Sequence, residues 1–133
     1  MSDDYVLDAS ALALALIGKS EAADTLRQRL PQMRRHAPHL IDAEVGNVLR
    51  RHERSGHISG AEAQSALRAG SVLIEHRYPH AGPLAELAWN WRANIGFYDA
   101  LYMALAVRLG VPLLTADARL SRAPTLRCRI EVV

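Results

Sequence analysis

The chain has 133 residues, half of them apolar, so a single ordinary domain can bury a core without disulfide or metal staples. Its one cysteine, Cys128, excludes an intrachain disulfide and a cysteine metal cluster, as expected of a cytoplasmic protein. The net charge is only +2, the acidic Ser2-Asp3-Asp4 replaces the basic start of a secretion signal, and the apolar run 11–17 is too short to span a bilayer, so no membrane partner is expected.

In chain order, residues 5–7 read as a first short strand, followed by an alanine- and leucine-rich helix over 10–17 that Gly18 breaks. Ser20 is placed to cap a second helix reaching about Leu30, where Pro31 stops it. Residues 39–41 read as a second strand, and 43–55 as a helix ended by Gly56. Ser59 and Glu62 form a capping-box pattern opening a helix to about Gly70, and 72–74 read as a third strand. Pro83 opens a helix to about Asn94, residues 98–109 form a strongly apolar helix closed by Gly110, and 112–115 and 130–133 supply a fourth and a fifth strand. Alternating short apolar strands and longer helices predict an α/β fold with a parallel sheet covered on both faces. Nothing divides the sequence, so one domain over 1–133 is expected.

Four acids fall at informative places. Asp8 directly follows the first strand, Glu44 lies in the first turn of the helix after the second, Asp99 opens the 98–109 helix, and Asp117 follows the fourth strand by two residues. Singly, each is explained as a cap or as an acid favoured by the helix dipole, and Asp42 is read as such a cap. Together at the carboxyl edge of a parallel sheet, where such folds bind ligands, four carboxylates repel one another and need a compensating cation. Oxygen donors of this kind suit Mg²⁺ or Mn²⁺, and such ions support attack of water on a phosphodiester. A nucleophilic-aspartate phosphatase is disfavoured because Ser10 stands two residues after Asp8 where a second Asp would be needed. A phospho-acceptor receiver is disfavoured because the only lysine is Lys19.

The segments Val6-Leu7-Asp8-Ala9-Ser10-Ala11-Leu12, Asp42-Ala43-Glu44-Val45-x-Asn47-Val48-Leu49-Arg50-Arg51, Tyr98-Asp99-Ala100-Leu101-Tyr102-Met103-Ala104-Leu105-Ala106 and Leu114-Thr115-Ala116-Asp117-x-Arg119-Leu120 resemble, in order and spacing, the four motifs of PIN-domain nucleases, and within them the VapC toxins. The resemblance implies a PIN-like three-layer α/β/α fold with a mainly parallel sheet of about five strands. It implies a metal site of Asp8, Glu44, Asp99 and Asp117, with Asp8 and Asp99 central, and supporting hydrogen bonds from Ser10 and Thr115, although Ser10 is equally a helix-start residue. It further implies an Mg²⁺-dependent endoribonuclease (Mn²⁺ substituting), an RNA substrate, a homodimer, and a VapB-like antitoxin bound in a heterotetramer or larger complex. The other reading of the same fold is a catalytically silent binding module that acts through its partner.

Of the 16 basic residues all but Lys19 are arginine. Arg50 and Arg51, on the helix of Glu44, either grip a flanking phosphate or lie on a solvated face, and Arg119 with Arg122 is a second candidate pair. With the four acids set against metal, 10 other acids face 16 basic residues, a surplus of +6 that RNA would feel. Trp89 and Trp91 fit core or interface packing better than base stacking. Tyr98 is expected to pack, and Cys128 to be a small buried hydrophobe. The scattered histidines show no zinc-binding spacing.

Overall fold

The protein was analysed as a computed structural model, which describes residues 3–122 and 128–133. Strand β1 (Asp4–Leu7) leads into α1 (Ala9–Ile17), then α2 (Glu21–Arg29) with a short 3-10 turn at Leu30–Gln32 before β2 (Arg34–Pro38). Helices α3 (Leu40–Arg54) and α4 (Gly60–Leu73) connect β2 to β3 (His76–Tyr78); α5 (Pro83–Trp89) and α6 (Phe97–Leu109) connect β3 to β4 (Leu113–Thr115). A 3-10 turn at Ala118–Arg122 precedes β5 (Ile130–Val132).

All strand pairings are parallel, in the order β3-β2-β1-β4-β5. Helices α1 to α4 pack on one another, while α5 packs on α6, which lies against β1 and β2. The result is three layers, as expected. The strand order reverses between β1 and β4, and that switch point is where open α/β sheets bind ligands. Val6, Leu7, Leu113 and Leu114 are fully buried because both faces of these strands are covered. Helix α6 is buried at every position from Ala100 to Ala106, which explains an apolar sequence with no polar face. Gly110 closes it at φ +67°, a left-handed cap that only glycine adopts without strain.

The second and third strands lie elsewhere than the apolar pattern indicates. Residues 40–41 begin α3, and the strand is the basic segment Arg34–Pro38 before it. Polar side chains are tolerated there because each has a partner. Arg35 donates to the carbonyl oxygens of Leu30, Met33 and Leu73, and His36 bonds Asp4 and Tyr78, both at 2.7 Å. Likewise 72–73 finish α4 and Ile74 caps it, while β3 is an edge strand, paired on one side only, whose His76 is exposed. Asp42 is no cap either: it stands in the first turn of α3 and makes a forked ion pair with Arg77, at 2.7 and 2.8 Å. Helix α5 ends at Trp89, five residues early, and continues as tight turns through Ile95. Among the described residues no helix is long and apolar enough to cross a membrane.

Candidate metal centre at the carboxyl edge of the sheet

Asp8 is the first residue past β1 and caps α1, its Oδ1 accepting from the Ala11 amide at 2.9 Å. A cap needs no more than that, yet two hydroxyls also serve this carboxylate. Ser10 Oγ donates to Oδ1 at 2.7 Å, and Thr115 Oγ1 donates to Oδ2. Asp8 is only 5% exposed, and burial pushes its pKa up against the hydrogen bonds that hold it down. The same hydroxyls fasten the turn after β4: the Ala116 amide donates to Ser10 Oγ at 2.8 Å, and the Asp117 amide to Thr115 Oγ1 at 3.0 Å. Ser10 and Thr115 therefore join the two strand ends that flank the switch point.

Glu44 sits in the second turn of α3, because that helix starts at Leu40 rather than at residue 43. Half-buried, its Oε1 accepts a 2.7 Å hydrogen bond from the hydroxyl of Tyr102, a residue of α6 on the opposite layer that is 1% exposed. Burial raises the Glu44 pKa, the Tyr102 bond lowers it, and the charge of Asp8 raises it further. Burial and the neighbouring Glu44 push the Tyr102 hydroxyl far above its usual range, so it stays a protonated donor. Tyr102 had no role in the sequence reading. Its spacing was the available signal, since three residues after Asp99 it shares that side of α6.

Asp99, in the first turn of α6, records the convergence of the acids. Burial raises its pKa most, the charges of Asp8, Glu44 and Asp117 raise it further, and Arg119 opposes them. Asp117 behaves in the opposite way. Arg119 grips it with Nε at 3.0 Å and Nη2 at 2.7 Å, which holds its carboxyl below the usual range. The arginine of that pair is solvent-exposed, its side chain 82% accessible against 26% for Asp117.

The four carboxylates thus share one electrostatic neighbourhood. Among the described residues, however, no three acids or histidines or cysteines converge closely enough to hold an ion as they stand. Asp8 is turned onto Thr115 and Ser10, Glu44 onto Tyr102 and Asp117 onto Arg119. In its chemistry, an all-carboxylate donor set whose members repel one another suits a hard divalent cation. Arg50 and Arg51 are exposed on α3, outside the set of charges that act on these acids. The arginines that do act on them are Arg119 and, on Asp117, Arg122.

A family model for the PIN domain matches residues 5–126. The chain belongs to the PIN-domain family. This PIN domain is 51% identical over 131 residues to Ribonuclease VapC1 of Mycobacterium tuberculosis strain H37Rv, with 98% of each chain covered. It is 41% identical over 128 residues to Ribonuclease VapC9 of the same strain, covering 96% of this chain and 97% of that protein. Among solved structures, the PIN domain resembles M. tuberculosis VapC20, a toxin that cleaves the sarcin-ricin loop, with a TM-score of 0.69, 18% identity and 94% and 98% coverage. It also resembles VapBC2 of Rickettsia felis bound to a promoter DNA fragment, with a TM-score of 0.70, 16% identity and 98% of both chains covered. At those identities the two structures speak for the fold.

Proposed function

We propose that this PIN domain, a single domain over 1–133, is a VapC-type toxin: a cytoplasmic, Mg²⁺-dependent endoribonuclease in which Mn²⁺ substitutes. The observation that carries this reading is the gathering of Asp8, Glu44, Asp99 and Asp117 about the switch point of the sheet, where burial first, and then the charges of the other three acids, raise the Asp99 carboxyl. The near-full-length identity to proteins named ribonuclease supports it. By the same kinship it would act on RNA, form a homodimer, and be silenced by a VapB-like antitoxin in a heterotetramer or larger assembly.

Asp8, Asp99, Glu44 and Asp117 would hold the cation. Bound there, a divalent ion would supply activation of water and neutralisation of charge on the phosphodiester. The remaining chemistry belongs to the chain. Thr115 and Ser10 fix the Asp8 carboxylate and offset part of the effect of its burial, which still holds its pKa up. Tyr102 restrains Glu44, leaving its second oxygen for a ligand. Arg119 and Arg122 bring positive charge beside Asp117, where a scissile or flanking phosphate is held, and Arg50 and Arg51 would meet the RNA backbone further along α3.

The test is calorimetric titration of Mn²⁺ into chelator-stripped protein, wild type against Asp8→Asn, followed by cleavage of a structured RNA pool. Saturable binding lost in the variant, with metal-dependent cleavage in the wild type, is the expected result. Metal binding with no cleavage, and an antitoxin still bound, would replace the enzyme with the silent binding module.

A further inference from the structure

The two tryptophans of the Trp89-Asn90-Trp91 segment part company in the fold. Trp91 is buried, 8% exposed, and belongs to the core. Trp89 is 56% exposed although it is among the largest side chains of the protein. It is not isolated. Phe97, itself 38% exposed, lies against it in a T-shaped arrangement with ring centroids 6.1 Å apart and planes at 72°. The guanidinium of Arg92 lies 4.9 Å from the Trp89 ring centroid, steadied by a 2.9 Å hydrogen bond from Nη1 to the Trp89 carbonyl oxygen. Tyr98, expected to pack, is 58% exposed. A soluble surface carries single apolar residues without consequence, but a grouped set of aromatics marks an interaction site.

Position assigns the occupant. Phe97 and Tyr98 immediately precede Asp99 in the first turn of α6. The segment joining Arg92 to Phe97 contributes Asn94, Ile95 and Gly96 to an open hollow of about 320 Å³ whose other walls include Asp99, Asp117, Arg119 and Arg122. The aromatic group therefore adjoins the carboxylate site through the chain on both sides of Gly96, with Phe97 and Tyr98 leading directly into Asp99. A cation seated against an exposed ring, beside two further arginines, matches a strand with alternating bases and phosphates. It matches a purely apolar partner poorly.

We infer that Trp89, with Arg92 and Phe97, is a platform on which an unpaired base of the RNA stacks while its neighbouring phosphate lies in the Asp99–Asp117 hollow. The inference rests on the RNA substrate proposed above. It predicts that the protein prefers single-stranded or looped RNA, because a base held in a duplex presents no free face. Arg92 serves the platform twice, holding the ring from one side and carrying positive charge toward the backbone.

The experiment is fluorescence anisotropy of a labelled single-stranded oligoadenosine 8-mer with the full chain in chelator, where metal-dependent cleavage is silent. Trp89→Ala should weaken binding about tenfold, the scale of a lost base–aromatic stack, while Trp89→Phe retains most of it. Mn²⁺ affinity, melting temperature and light-scattering mass should not move in either variant. Unchanged oligonucleotide affinity in Trp89→Ala overturns the platform. So does a fall in molecular mass, which makes the patch a contact between two copies of the chain. Wild-type protein that binds Mn²⁺ but no oligonucleotide overturns the platform and the RNA reading together. Failure of Mn²⁺ binding alone removes the metal reading and leaves the oligonucleotide result decisive for Trp89.

Discussion

Asp99→Asn exposes the internal conflict of the acid cluster, because the sign of its effect on stability should invert with metal. Without metal, Asp99 is a partly buried carboxylate repelled by Asp8, Glu44 and Asp117 and attracted by Arg119. Each screened like-charge pair costs about 0.3–0.5 kcal/mol, and partial burial of the charge adds roughly 1 kcal/mol. The Arg119 attraction and the helix dipole return about 0.5 kcal/mol each. The balance is on the order of 1 kcal/mol in favour of the neutral, isosteric Asn, or about 4 °C in melting temperature for a chain of this size. A raised folded-state pKa means that the ionised group subtracts stability. The deficit is full above that raised value and gone below the ordinary carboxylate value near 4. The advantage of Asp99→Asn in chelator should therefore shrink as pH falls from 7 toward 4. With Mn²⁺ at about 100 times its Kd, the wild type gains about 2.7 kcal/mol and should overtake the variant. Thermal melts of both proteins, in chelator and in Mn²⁺ across that pH range, measure all three effects. A variant that melts lower than wild type in chelator at pH 7 would refute the clustering of the acids.

Tyr102→Phe keeps the buried ring and removes the donor to Glu44; it should cost about 1–2 kcal/mol of stability and weaken Mn²⁺ binding at least tenfold, read by melts and calorimetry. Equal metal affinity would make Tyr102 a packing residue only. Thr115→Val should likewise destabilise, by about 1–3 kcal/mol, since it strips a hydroxyl from buried Asp8 and leaves the Asp117 amide without its acceptor; denaturant unfolding measures it. Arg119→Ala releases Asp117 from an exposed ion pair worth about 0.2–1 kcal/mol, so Mn²⁺ should bind up to about fivefold tighter while oligonucleotide binding weakens. Looser metal binding in that variant would mean that Arg119 supports the site and does not compete for it. Burial pushes the Cys128 thiol up, so its alkylation at pH 8 should be slower in native protein than in urea, followed by mass spectrometry.

The elements with an apolar pattern were legible: β1, α1, α6 and β4 are set by burial on both faces, and capping residues marked Ser20 and Ser59 as helix starts. Strands β2 and β3 were not legible, for one physical reason. Their charged residues have long-range partners: Arg35 at the Leu73 carbonyl besides the nearer ones of Leu30 and Met33, His36 at Asp4 and Tyr78, and Arg77 at Asp42. A local pattern carries no trace of a partner 30 or 40 residues away. The parallel order survived the two-element slip because α3 and α4 still separate the strands, so Glu44 reaches the same edge from a helix that begins three residues earlier.

The placement of the four acids toward one edge was legible because Asp8 and Asp117 follow strands, Asp99 opens a helix and Glu44 lies one turn into another, where chain direction decides which edge each reaches. What holds them was only half legible. Ser10 and Thr115 lie inside the motifs, next to the acids they serve, and the structure puts both on Asp8. Tyr102 serves an acid 58 positions away on the opposite layer, so sequence separation hid it. The difference matters for function. Asp8 is locked by groups from β4 and α1 and needs no rearrangement to stay in place, whereas Asp117 is held by an exposed arginine that water screens and competes with. By the proposed reading, Asp8 would be the fixed carboxylate of the site and Asp117 the releasable one. Loss of Asp8 should accordingly cost far more metal affinity than loss of Asp117, although both acids belong to the same cluster.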